Sequence, residues 1–199
     1  MTPGKRILAA VLYAAVALGA NPVFAGSPDS GPDYGSLTDM RRGDMRKLAI
    51  PDLPVPASRV AFEDADGKAV SLAQWRGQTV LVNFWATWCA PCRAEMPSLN
   101  ALQQELGGTD FQVVTIATGR NPLPAMRKFF DEVGVDALPI LRDPKRALSR
   151  DMGVLGLPAS IILNAEGEEV ARMTGDADWH SGDALMFLRA VIGMGQAGG

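Results

Sequence analysis

Apolar and polar positions alternate along this chain in two different rhythms. Thr79 to Trp85 is an almost unbroken apolar run, as a strand buried on both faces would be. After Pro91 the spacing changes: Met96, Leu99 and Leu102 recur at helical intervals up to about Leu106, where Gly107-Gly108 ends the pattern. Phe111 to Ala117 is a second β-branched strand. Pro124 to Val133 is helical, with Met126, Phe129 and Phe130 on one face. A short strand over Leu138 to Leu141 and a short helix over Lys145 to Met152 are expected next. Pro158 then opens the apolar run Ile161-Ile162-Leu163, which suits a strand's first residue or edge. Glu166-Gly167 is a turn, and Glu168 to Met173 alternates as a half-buried antiparallel strand does. Ser181 to Ile192 closes the pattern as an amphipathic helix with Leu185, Leu188 and Ile192 inward. Upstream, Val60 to Glu63 and Ala69-Val70 flank the turn pair Asp66-Gly67, a hairpin signal. Ser71 is placed to cap a short helix, Leu72 to Arg76, closed by Gly77. Strands alternating with helices, followed by a hairpin and a helix, predict an α/β fold with a mixed central sheet flanked by helices on both faces.

The first 58 residues follow neither rhythm. Lys5-Arg6 precedes the apolar run Ile7 to Leu18, Asn21-Pro22 breaks it, and Val23-Phe24-Ala25 offers small residues for cleavage. That is the layout of an export signal over residues 1–25. An uncleaved membrane anchor reaching Ala25 is the competing expectation. Residues 26–58 are rich in Pro, Gly, Ser and Asp and read as a flexible linker, with a short helix over Thr38 to Leu48 as its one candidate element. The globular domain is then expected over residues 59–195.

Composition narrows the function classes. With 47% hydrophobic and 21% charged residues, 199 residues suit one core plus an extension. Net charge is −3, and removing the first 25 residues takes away Lys5 and Arg6 and no acid, leaving −5. A mildly acidic chain argues against a nucleic-acid partner. The chain has two cysteines, Cys89 and Cys92, and one histidine, His180. Two cysteines in one short motif make no structural disulfide framework, and with one histidine they fall short of a four-ligand structural zinc site. His180 is expected at the surface, at the start of the last helix.

Cys89-Ala90-Pro91-Cys92 sits between the strand ending at Trp85 and the helix after Pro91. Cysteines at i and i+3 of a helix start lie one turn apart, close enough for a small disulfide ring. The first of them meets unpaired backbone N–H groups and the positive end of the helix dipole, which favour a thiolate. Pro91 suits the first turn, where its missing N–H would be unpaired in any case. This reading makes Cys89 the nucleophile and Cys92 the resolving thiol. A metal-binding or inert pair is the alternative, and a reduced C-x-x-C can hold Cu(I).

The stretch Phe84 to Pro97, with Phe62-Glu63-Asp64-Ala65-Asp66-Gly67-Lys68 and Leu157-Pro158, resembles the thioredoxin superfamily and, within it, the TlpA/ResA-like thiol:disulfide interchange proteins. The likeness covers roughly Ala61 to Ile192. It implies a thioredoxin-like fold with an N-terminal β-hairpin extension. It also implies a periplasmic protein disulfide reductant for cytochrome c biogenesis or cytochrome oxidase copper-site assembly. No cofactor beyond a redox-active Cys89–Cys92 disulfide is implied, and a monomer is expected. Electrons would come from a membrane thiol transporter of the CcdA/DsbD kind. A Cu(I)-binding assembly factor is the alternative, although the copper-insertion proteins of the superfamily use a wider cysteine spacing and a distant His. Familiar thiol peroxidases carry a lone Cys after a Thr-x-x pattern, which is absent. Residue by residue, Pro158 matches the family's cis-proline. Glu95 matches a glutamate beside the disulfide, and Asn83 stands where cytoplasmic thioredoxins have a buried aspartate. Trp88, Pro91, Leu157 and Pro158 are the positions where a partner chain would dock, while Trp85 is expected to pack. At i+3 from Cys92, Glu95 is placed to take its proton. The plainer expectation is a solvated glutamate or an ion pair with Arg93 or Arg127.

Overall fold

A computed structural model describes residues 32–197. Among the described residues, eight strands form one sheet: β1 (Val55–Pro56), β2 (Phe62–Glu63), β3 (Ala69–Val70), β4 (Thr79–Trp85), β5 (Phe111–Thr118), β6 (Leu141–Asp143), β7 (Ala159–Leu163) and β8 (Glu168–Thr174). Their spatial order is β1-β8-β7-β4-β5-β6-β2-β3. β4, β5 and β6 run parallel, while β7 pairs antiparallel with β4 and β8 antiparallel with β7. The sheet is therefore mixed, as expected. The β2–β3 hairpin extends the sheet beyond β6, pairing Phe62 with Val70 and Glu63 with Arg142, and Gly67 takes the positive φ of 80° that its turn requires.

The described residues also form four α-helices: α1 (Ala90–Leu106), α2 (Leu123–Val133), α3 (Ala147–Asp151) and α4 (Gly182–Ala197). Alternate residues of the central strands feed two cores. On one face Leu81, Trp85, Val113 and Ala117 meet apolar residues of α1, α2 and α4. On the other, Val80, Val82, Phe84, Val114 and Ile116 meet Leu148 and Met152 at α3 and Phe62 of the hairpin. Because the period of a strand is two, this division places Asn83 on the α1 face, where the site lies.

Four expectations need correction. Residues 34–57 are no linker: two 3-10 helices, Tyr34–Met40 and Gly43–Lys47, pack on α4, and Tyr34, Leu37, Met45 and Leu48 are buried in the first core. Ala49 then bridges to Arg172 and β1 pairs with β8. The few apolar residues of this stretch are scattered among turn-formers, so only the tertiary contact reveals that they are core. Second, the strand expected over 138–141 begins at Leu141, because Pro139 has no N–H for the ladder. Third, the inward face of α4 is Ala184, Phe187, Leu188 and Val191, with Leu185 and Ile192 half-buried at its edges. Fourth, Leu72–Trp75 is a 3-10 turn, and the Ser71 hydroxyl makes no capping bond. The expected export signal, residues 1–25, lies outside the described residues.

Candidate active site

The site begins where β4 ends. The chain turns at Ala86, whose carbonyl accepts the Cys89 N–H at 3.1 Å, and α1 starts with Cys89 as its N-cap. The Cys89 Sγ accepts the Cys92 N–H at 3.4 Å, so the first turn of the helix directs backbone dipoles at that sulfur. Cys89 and Cys92 form a disulfide, with their Cα atoms 5.3 Å apart. The two sulfurs are not equivalent. Cys89 is 6% exposed and Cys92 is 0% exposed, so an incoming thiol reaches the pair only through Cys89. Asn121 holds this turn from the next loop: its Oδ1 accepts from the Thr87 N–H at 2.8 Å and from the Thr87 hydroxyl at 3.0 Å.

Cys89 opens onto a groove of about 490 Å³ shared with Trp88, Pro91, Val154, Leu155 and Leu157. Trp88 is 62% exposed and Leu155 fully exposed, an unusual display of apolar surface beside a reactive atom. Leu157 joins Pro158 through a cis peptide bond, and Pro158 itself is buried just before β7. The groove also contains Arg146 and Arg150, which belong to the start and body of α3. Trp85 is sealed inside, with ring centroids 5.7 Å from Phe129 and 5.5 Å from Phe130.

One turn deeper along α1 lies a buried polar group. Glu95 is 4% exposed, and its Oε1 accepts from Asn83 Nδ2 at 2.8 Å. The same Asn83 nitrogen donates to Ser160 Oγ at 3.0 Å, and the Ala177 N–H donates to Glu95 Oε2 at 3.2 Å. Burial pushes the carboxyl up to about 7, with Asp176 adding to the effect. The bonds from Asn83 and Ala177, and the nearby indole N–H of Trp179, oppose that rise. Neither ordinary expectation for Glu95 holds. It is not solvated, and Arg93 instead lies over the Phe129 ring, 4.2 Å from its centroid. His180 sits at the surface, paired with Glu105 Oε2 at 2.8 Å.

The loop that reaches Glu95 is itself held from the N-terminal segment. Lys47 Nζ donates to the Asp176 carbonyl at 3.0 Å, and the Asp178 N–H donates to Asp44 Oδ2 at 3.2 Å. Lys47 and Asp44 pair at 2.8 Å, and the Trp179 N–H donates to Ser98 Oγ on α1 at 3.1 Å. A segment with the composition of a linker thus braces the cover of the buried carboxyl.

Residues 50–186 match the Redoxin family model. The chain belongs to the Redoxin family. This Redoxin-family chain is 30% identical over 119 residues to the thiol-disulfide oxidoreductase ResA of Bacillus subtilis, covering 60% of this chain and 65% of that protein. It is 37% identical over 108 residues to the thioredoxin-like protein YneN of the same organism, covering 54% of this chain and 62% of that protein. The match thus spans somewhat under two thirds of each of these relatives. Among solved structures, a thioredoxin-family thiol:disulfide interchange protein from Chlorobium tepidum superposes with a TM-score of 0.58 at 26% identity. That superposition covers 70% of this chain and 97% of the other. The pneumococcal exposed lipoprotein thioredoxin Etrx1 superposes with a TM-score of 0.55 at 26% identity, covering 67% and 98%. The fold is thioredoxin-like.

Of the residues singled out by sequence, Cys89, Trp88, Pro91 and Leu157 meet in the groove, whereas Glu95 and Asn83 meet beneath the disulfide. Pro158 stands behind Leu157 and is absent from the groove lining. Leu155, Arg146, Arg150, Asn121 and Ser160 join the site without having been expected there. Glycines at 153 and 156 mark the Leu155 loop as irregular, and nothing in the local pattern flags the arginines or Asn121.

Proposed function

We propose that this protein is an extracytoplasmic thiol–disulfide oxidoreductase that reduces disulfides in other proteins. The observation that carries this reading is the asymmetry of the pair: Cys89 at the helix mouth opens on an apolar groove, and Cys92 is sealed behind it. In the reduced protein the Cys89 thiolate attacks a partner disulfide, forming one S–S bond and expelling a partner thiolate. Cys92, as its thiolate, then attacks Cys89 Sγ, releasing the second partner sulfur and closing the Cys89–Cys92 disulfide. The partner gains two electrons and, in all, two protons. Glu95, three residues from Cys92 on the same buried side of α1, is the group that accepts the Cys92 proton. Trp88, Pro91 and Leu157 line the groove that receives the partner chain, with Pro158 buried behind Leu157.

The export-like N-terminal segment and the likeness to an exposed lipoprotein thioredoxin support the location. The resemblance of Phe84 to Pro97 to the TlpA/ResA-like proteins supports cysteines of cytochrome c biogenesis or of the oxidase copper site as targets. A membrane dithiol transporter of the CcdA/DsbD kind would restore the reduced form. The test is trapping: in a Cys92→Ser variant expressed in its own compartment, mixed disulfides through Cys89 accumulate, and mass spectrometry identifies the partners. Stoichiometric tight Cu(I) binding by the reduced protein, with no disulfide reductase activity, would overturn the reading.

A further inference from the structure

The groove beside Cys89 is one-sided in charge. Arg146 and Arg150 line it, and no Asp or Glu does, although the chain as a whole carries −3. Both arginines are exposed, and neither makes an ion pair or a side-chain hydrogen bond among the described residues. The adjacent carboxylate that might have paired with them, Asp143, is buried and accepts instead from the N–H groups of Ala147 and Ser149.

Arg146 is also held in an unusual backbone state. Its φ of 56° makes it the one non-glycine residue in the left-handed region among the described residues. Glycine or asparagine takes that conformation with less strain. The loop after β5 accommodates its side chain: Gly119 has φ of 79°, and a Cβ there would come within 2.9 Å of Arg146 Nε. Arg146 is thus kept in a strained conformation, seated against a bare glycine, with its guanidinium free of any internal partner among the described residues. The groove it shares also presents Trp88, Pro91, Val154, Leu155 and Leu157, so a carboxylate brought there meets its charge beside apolar surface.

We propose that this groove selects protein segments that carry a carboxylate close to the cysteine being exchanged, with Arg146 and Arg150 as the residues that read it. The inference rests on the exchange reading above and names its substrate class. Guanidinium groups offer paired N–H donors that match a carboxylate. Trp88 and Leu155 supply the apolar contact that an extended chain, and not a small anion, would fill. Substrate approach brings the acidic side chain and the sulfur together.

The experiment uses the reduced full-length protein and three disulfide-looped peptides of one sequence, flanked next to cysteine by Asp, Asn or Lys. We expect the second-order rate constant of this single exchange to rank Asp above Asn above Lys, with Asp over Asn roughly tenfold at low salt and less at high salt. In an Arg146→Asn/Arg150→Gln variant the Asp-to-Asn ratio falls to within about twofold of one; Arg150→Glu moves the preference towards Lys. Using the ratio cancels any influence of the arginines on Cys89 itself. Asn at 146 relieves the backbone, so the melting temperature of the double variant is unchanged or higher. A flat ranking in the wild-type protein that still exchanges all three peptides overturns this proposal and leaves the oxidoreductase reading standing. An undiminished ratio in the double variant overturns the assignment to these arginines. Failure to exchange any peptide overturns both.

Discussion

Helix α1 carries two chemical settings nearly two turns apart, and they are built on opposite principles. At its mouth, Cys89 faces an open groove with exposed Trp88 and Leu155 and arginines that have no internal partner among the described residues. Beneath it, Glu95 is enclosed by Asn83, the Ala177 N–H and a loop braced by residues 44 and 47. The outer setting leaves interactions unmade so that another molecule can make them. The inner setting is closed to water, and that burial, against the pull of the bonds from Asn83 and Ala177, holds a carboxyl near neutrality. On the proposed exchange reading, the open setting serves docking and the closed one serves proton transfer.

The largest test of this contrast removes the inner sulfur. Cys92→Ser should lower turnover of protein disulfides by roughly three orders of magnitude, leaving a stable mixed disulfide through Cys89. Trapping seen only with Cys89→Ser would reverse the assignment of outer and inner roles. Next in size is the brace. Leu37 is fully buried, so Leu37→Ala should cost about 3 kcal/mol in denaturant unfolding, whereas a linker residue would cost almost nothing.

The buried carboxyl supplies a third test. Its folded value of about 7 lies above the ordinary 4.5, so the folded state binds the extra proton between these limits. Stability due to Glu95 is therefore full below about pH 4.5 and is lost as pH rises through 7. Glu95→Gln removes that dependence: its stability relative to wild type should rise with pH by up to about 3 kcal/mol between pH 4.5 and 8. The exchange rate of the wild type should climb through an inflection near pH 7 that the variant lacks. An unchanged profile would make Glu95 a packing residue. The smallest effect belongs to the surface of the brace. Lys47→Met removes a positive charge weakly coupled to Glu95, so the same inflection should move slightly upward while stability changes little.

The central elements and the cysteine pair are legible in the sequence alone. The runs over 79–85 and 111–117 and the helical spacing after Pro91 announce β4, β5 and α1 almost to the residue, because buried strands and amphipathic helices have fixed periods. The C-x-x-C at their junction places the redox pair through local geometry alone, since two residues three apart at a helix start meet in any fold. The segment over 34–48 escapes such a reading for the complementary reason. Its apolar residues are few and irregularly spaced, and the surface they cover belongs to α4, more than a hundred residues away in sequence.

By itself, then, the sequence determined what is short-range: the order of strands and helices, the N-cap cysteine, and the proline that breaks into β7. Only the tertiary structure decided which sulfur faces outward, what surrounds Glu95, and which arginines reach the groove. Those properties depend on burial and on partners from distant segments. A carboxyl in water and the same carboxyl beneath Ala177 have one identity in the sequence and different proton affinities in the fold.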